Sequence, residues 1–163
     1  NCSYYDGHQL FQKVTSLGYI PMDDGSGNFF GRKLIRDYYF HKMPQDLGIK
    51  FDKEYDLDAD VIKEILYKQP NPNTYLATFA RFLIENNDHY YFNGVIDKGL
   101  QQFVNNYIMQ FELATKVPSN FVGSIAYFLK DELVAVLERN DLIVGVIRQR
   151  PIEGLVEFHQ ETI

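Results

Sequence analysis

A chain of 163 residues with a net charge of −6 is long enough for one globular domain with a real core. The negative balance disfavours non-specific binding to nucleic acid or to an anionic membrane surface, because both require a positive field. The apolar runs fall far short of a membrane span, the first residues do not read as a signal peptide, and Cys2 is the only cysteine, so no internal disulfide can form, which suits a reducing cytoplasm. There is no Trp, yet there are 12 Tyr and 13 Phe. A core built on rings gains much buried area per residue, and Tyr adds a polar tip.

Taken in chain order, Asn1-Cys2-Ser3 reads as the middle of a strand, as though a longer protein were cut there. Ser3-Tyr4-Tyr5 followed by Asp6-Gly7 signals a hairpin. Further strands are expected over Phe11–Val14 and Tyr19–Met22. Gly25-Ser26-Gly27 breaks the pattern. After it, Phe30, Leu34 and Tyr38, with Ile35 and Tyr39, recur at helical spacing, and Pro44 should stop that helix near Met43. Residues 45–115 read as a large helical insertion. Val61, Ile62, Ile65 and Leu66 mark one helix with Asp58 as its N-cap. Leu76, Phe79, Ala80 and Leu83 mark a second, and Ile96 to Phe111 a longer third. Pro70 and Pro72 bracket a turn. Asn120-Phe121-Val122 is a strand. One helix is expected from Ile125 through Leu129, Leu133, Val136 and Leu137. A β-rich run covers Leu142–Ile147, and Pro151 opens a last helix at its favoured first position. Strands, a helical block, then strand–helix–strand–helix describe an α/β layer with helices packed on a mixed sheet.

Two places could carry chemistry. In Asp23-Asp24-Gly25-Ser26-Gly27, two carboxylates lead through a glycine-rich turn into a helix. Carboxylates accept from sugar hydroxyls or hold a water on Mg²⁺, and amides at a helix start can meet an anion. A helix cap with acidic first-turn residues accounts for the same letters about as well. The segment is not a phosphate-binding Walker loop. Arg32-Lys33 follows Gly31, but no glycine stands five residues earlier and no Ser or Thr follows the lysine. At Gly123-Ser124 a small residue between strand and helix would let a base or phosphate approach the backbone, although a helix start capped by Ser124 is the simpler reading of that pair alone. His8, His41, His89 and His159 lack metal-ligand spacing, and Cys2 has no base partner in sequence. The charges of Lys50 to Asp60 read as a solvated helix face and loop, and Tyr38-Tyr39-Phe40 as core.

Leu17-Gly18-Tyr19-Ile20-Pro21-Met22-Asp23-Asp24-Gly25-Ser26-Gly27 resembles the Gly–aromatic–x–x–Gly–Asp–Glu–Gly–Ser signature of N-acetylglucosamine kinases and BadF-type ATPases. Phe29 to Tyr39 looks like the helix that follows it, Phe121-Val122-Gly123-Ser124-Ile125-Ala126 like the adenosine motif, and Pro151 to Val156 like the closing helix. Asn1-Cys2 resembles the end of a phosphate turn. The match runs in order along essentially the whole chain. It implies the sugar kinase–actin superfamily, two ribonuclease-H-like lobes around a cleft, with this chain as the C-terminal lobe and the N-terminal lobe missing. By that resemblance Asp23 contacts an amino sugar with Gly18 nearby, Gly123 and Ser124 lie against the adenosine of ATP bound with Mg²⁺, and the catalytic general base sits in the missing lobe. The chain by itself is then expected to be inactive. Pro21 and Met22 replace an apolar–Gly pair, and Asp24 replaces Glu. Met22 puts a side chain where the family leaves space. Arg150 stands where a small capping Ser is expected.

Three functions follow as expectations. The leading one is an ATP-dependent hexosamine kinase, for example acting on N-acetylglucosamine. The second is a BadF-type ATPase driving a partner, against which the lone Cys2 speaks, since such activators hold an iron–sulfur cluster. The third is a non-catalytic sugar-sensing or dimerisation module, favoured if Met22 fills the sugar site. A homodimer is left open.

Overall fold

The computed structural model describes residues 1–161. In chain order they form β1 (Tyr4–Tyr5), β2 (Leu10–Phe11), α1 (Gly27–Tyr39), α2 (Gln45–Glu54), α3 (Ala59–Lys68), α4 (Pro72–Thr78), α5 (Ala80–Glu85) and α6 (Tyr90–Asn106). A 3-10 turn (Ile108–Gln110), β3 (Pro118–Val122), α7 (Ser124–Phe128), α8 (Lys130–Arg139), β4 (Ile143–Arg148) and α9 (Pro151–Glu161) follow. The α/β class expected from the sequence is the one found. Among the described residues the strands form two separate two-stranded sheets, antiparallel β1–β2 and parallel β3–β4, in place of the one mixed sheet expected. The chain folds as two compact units: Ser16–Gly99, and residues 1–15 together with the chain from Leu100 onward. Among the described residues, no helix is long and apolar enough to cross a membrane.

The Ser16–Gly99 unit is a helical layer around a cluster of rings. Phe30, Phe51, Phe79, Phe82 and Phe92 are all fully buried. Phe51 lies 4.9 Å from Phe82 and 5.7 Å from Phe79, and Tyr55 lies 4.8 Å from Phe79, in the tilted and edge-on geometries that aromatic quadrupoles prefer. Here the Phe-rich composition is spent. α1 packs on α4 and α5, and its glycines meet α4. A Cβ on Gly31 would stand 1.7 Å from the Leu76 carbonyl oxygen, and one on Gly27 would stand 3.2 Å from the Ala77 methyl. The Gly31 Cα–H therefore points at that carbonyl, a weak but recurrent contact in close helix crossings. Asp37, 4% exposed on α1, binds the Lys33 ammonium one turn back and the Tyr91 hydroxyl of α6. Burial and the Asp37 carboxylate push the Tyr91 phenol well above its ordinary pKa.

Several boundaries differ from the expectations for identifiable reasons. α1 stops at Tyr39, not near Met43. His41 adopts φ 54, and the amides of His41 and Lys42 return to the carbonyls of Tyr38 and Asp37, a Schellman ending with His where glycine is usual. Tyr39 and Phe40 are consequently exposed rather than core, Phe40 at 58% and flanked by the Arg36 and Lys42 cations. The strand expected over Tyr19–Met22 is a turn. The carbonyls of Tyr19 and Ile20 are taken by the Arg32 guanidinium at 3.5 and 3.0 Å, not by a neighbouring strand, and Pro21 has no N–H to offer. The second helix is split at Phe79, where i→i−3 bonds to Leu76 and from Phe82 tighten the chain. Asp58 caps α3 as expected, accepting from the amides of Asp60 and Val61.

In the other unit, β1 and β2 form the expected hairpin, with Tyr5 opposite Leu10. Asp6 Oδ1 accepts from the amides of His8 and Gln9, which holds the loop and lowers the Asp6 carboxyl pKa. This register makes the second strand Leu10–Phe11 rather than Phe11–Val14. β3 and β4 are joined through α7 and α8, a strand–helix–strand crossover. Their register shifts between Ser119 and Phe121. There Asn120 Oδ1 accepts from Val146 N–H at 2.8 Å, and Gly145 leaves the room, since a Cβ on it would lie 2.3 Å from that oxygen. The single helix expected from Ile125 to Leu137 breaks at Leu129, after which Asp131 and Glu132 occupy a fresh first turn. α8 ends on Asp141 at φ 57 in a second Schellman ending. The helix expected from Ile96 to Phe111 stops at Asn106, since Tyr107 (φ −122) leaves helical geometry to stack on Phe103 at 5.2 Å.

The glycines of α1 and α2 yield opposite expectations. Gly31→Ala drives a methyl into the Leu76 carbonyl and should cost about 1–3 kcal/mol. Gly48→Ala, in α2 with open space around its Cβ position, should gain about 0.5–1 kcal/mol. Chemical denaturation of both variants checks the pair. A Gly31→Ala protein as stable as wild type would mean that α1 and α4 do not approach this closely.

Candidate functional site

The Asp23–Ser26 segment is built by its own hydrogen bonds. Ser26 N–H donates to the Asp23 carbonyl at 3.1 Å, closing a tight turn with Gly25 at φ 69. Ser26 is the N-cap of α1, its Oγ accepting from Phe29 N–H at 3.2 Å. α1 carries no acidic residue in its first turn, so the capping role belongs to Ser26 and leaves both aspartates in the turn before it. Asp23 itself sits at φ 81, a conformation that costs a non-glycine residue on the order of 1 kcal/mol. It is half-buried, and its Oδ2 accepts from Asn28 Nδ2 at 2.5 Å. Asn28 also donates to Ser26 Oγ at 2.8 Å, while its own Oδ1 is buried without a partner in the protein. A buried acceptor left empty costs about 1–3 kcal/mol, so this side chain is held there against its packing interest.

Gly18 lies in the loop just before this turn. It is exposed, with φ 88 and open space where a Cβ would be. The loop is folded on itself by Leu17 N–H donating to Met22 Sδ at 3.2 Å. Arg32 of α1 holds the far side through the Tyr19 and Ile20 carbonyls. A carboxylate held by Asn28, a few residues after an exposed glycine, can accept from the hydroxyls of a polar ligand. Neither Asn28 nor Arg32 was singled out as a site residue in the sequence. The signal for Asn28 is weak, an Asn two residues into a helix, and its burial is not visible in the letters.

Gly123 and Ser124 belong to the other unit, at the end of the parallel ladder. Gly123 N–H donates to the Arg148 carbonyl at 2.9 Å, and the Gly123 carbonyl receives Tyr127 N–H at 3.1 Å. Gly123 is the N-cap of α7 at φ 142, ψ 158, a region open to glycine almost alone. No side chain caps the helix, so the expected Ser124 cap gives way to glycine, with Ser124 as an exposed first residue. Nothing lies within 4 Å of a Cβ placed on Gly123. A flat base could therefore approach the backbone there, and the open surface fits such a group.

The remaining candidates stay structural. Cys2 is half-buried outside any strand, and burial pushes its thiol pKa up, opposite to what a nucleophile needs. His89 Nδ1 accepts from Tyr91 N–H while Nε2 faces Asp46 Oδ2, each at 3.2 Å. His8, His41 and His159 are exposed. Among the described residues, no three His, Cys, Asp or Glu side chains converge as a metal-binding group.

No family model matches the chain, and no curated protein matches it. Over 96% of its length it is similar to the crystal structure of a presumed N-acetylglucosamine kinase from Porphyromonas gingivalis, with 30% identity and a TM-score of 0.89. The chain spans 55% of that protein's length. The α/β architecture is thus shared with part of a protein described as a sugar kinase.

The two turns respond differently to substitution. Gly123→Ala should cost about 1–3 kcal/mol although the space is open, because the backbone conformation itself excludes a side chain. Ser26→Ala should cost about 1 kcal/mol through the lost cap. Denaturant titration measures both. A neutral Gly123→Ala would show that the junction relaxes easily to negative φ.

Proposed function

We propose that the chain forms the C-terminal, nucleotide-binding part of an ATP-dependent amino-sugar kinase of the N-acetylglucosamine kinase type. The observation that carries this is the likeness to the Porphyromonas protein along 96% of the chain. In this reading the Asp23 carboxylate accepts a sugar hydroxyl with Gly18 beside it, and the open backbone at Gly123 and Ser124 takes the adenosine. ATP supplies the phosphoryl group and Mg²⁺ its charge neutralisation. The general base belongs to a further lobe, so this chain positions and does not deprotonate. The protein works in the cytoplasm on a small sugar, without nucleic acid or membrane, and a homodimer is compatible with it.

The competing reading is a sugar-sensing module blocked by Met22, whose sulfur accepts from Leu17 N–H next to Gly18. A BadF-type ATPase would hydrolyse ATP without sugar.

Sugar-dependent ADP release by the full-length protein with Mg²⁺-ATP tests the reading. Asp23→Ala should weaken N-acetylglucosamine binding by about 1.5–3 kcal/mol, roughly 10- to 150-fold. Asp23→Asn, which tolerates positive φ better, should keep the turn and still lose affinity. ATP turnover indifferent to every amino sugar would sink the kinase assignment.

A further inference from the structure

We infer that Asn28 is a positioning residue for the Asp23 carboxylate, an inference that rests on the amino-sugar reading of Asp23. Asn28 is 5% exposed, and its Oδ1 has no partner in the protein. A buried amide with an empty acceptor is worse for folding than an apolar side chain that fits the same space, so packing alone would favour an apolar residue there. What the amide alone supplies is two protons on Nδ2. One goes to Asp23 Oδ2 at 2.5 Å and the other to Ser26 Oγ at 2.8 Å. Both ends of the Asp23–Ser26 turn are thus tied to one side chain on the first turn of α1. Asp23 needs such a tie, because its φ of 81 lies where an aspartate does not rest by preference. With Oδ2 held, the plane of the carboxylate is fixed, and an incoming hydroxyl meets an oriented acceptor instead of a free rotor.

Two variants of the full-length kinase test this. Asn28→Leu keeps the branched outline, adds some volume and removes the donors. Asn28→Asp keeps the shape and sets a second carboxylate against Asp23. KM for the amino sugar, KM for ATP, kcat and thermal stability are measured for each. The sugar KM should rise about 3- to 10-fold in Asn28→Leu, the worth of one net hydrogen bond, and further in Asn28→Asp, with the ATP KM unchanged. A purely structural role would lower the melting temperature and leave the sugar KM of the folded enzyme at its wild-type value, which overturns the inference. If Asn28→Asp does not fold, Asn28→Leu decides. If neither folds, Asn28 serves the fold and not the carboxylate, and the inference fails. Wild-type protein that phosphorylates no amino sugar removes the functional reading and the inference with it, an outcome distinct from a working kinase indifferent to residue 28.

Discussion

The approach of α1 to α4 at Gly31 is the constraint from which the Ser16–Gly99 unit follows. No side chain separates the Gly31 backbone from the Leu76 carbonyl, and Gly27 meets the Ala77 methyl one turn earlier. A glycine in a helix interior sacrifices stability in isolation, so Gly31 is accounted for by such a crossing, with Gly27 on the same face at the helix start. Once α1 is set against α4, Phe30 and Leu34 are fully buried and Asp37 reaches the Tyr91 hydroxyl. Gly99 is bound to the same crossing, since a Cβ on it would lie 2.5 Å from the Phe30 ring.

That placement also fixes the start of α1, and the candidate sugar turn hangs from it. Ser26 caps the helix, Asn28 is drawn into the interior on its first turn, and the Asp23 carboxylate is bound back to Asn28. The loop before the turn is held by Arg32, one helical turn further along. The turn is therefore anchored by helix side chains on both sides although it has no regular structure. The junction at Gly123 is organised differently. It is the last rung of a parallel ladder, tied to the Arg148 carbonyl, and the chain turns into α7 at an angle that only glycine supports. One candidate site depends on side chains that fix a strained aspartate, the other on the absence of a side chain.

Much of the order of elements was legible in the letters because it depends on neighbours in sequence. Asp58 caps α3 through amides two and three residues on, Pro151 opens α9, and Asp6-Gly7 turns the first hairpin, whereas Pro72, read as closing a turn, opens α4. The α/β class came from the same local periodicities. The family resemblance around Gly18, Asp23, Gly123 and Ser124 is likewise a matter of short strings, and it drew attention to both turns.

What the letters left undecided depends on residues far apart in the chain. Tyr19–Met22 has strand-like residues, but the Arg32 guanidinium takes the carbonyls a strand would have shared. α1 and α8 end on His41 and Asp141 at positive φ, where no glycine announces a stop. Tyr39 and Phe40 remain outside because that stop turns the chain before they can be covered. Asn28 and Gly31 look like an ordinary polar residue and an ordinary helix breaker until Asp23 and Leu76 are brought against them. The sequence by itself determined the order of helices and strands, the Asp58 cap and the glycine-bearing turns, since bonds within a few residues of chain suffice for those. Tertiary structure alone decided which polar side chain would be buried beside Asp23 and which glycine would carry the helix crossing, because both follow from desolvation and close contact between segments that the chain keeps apart.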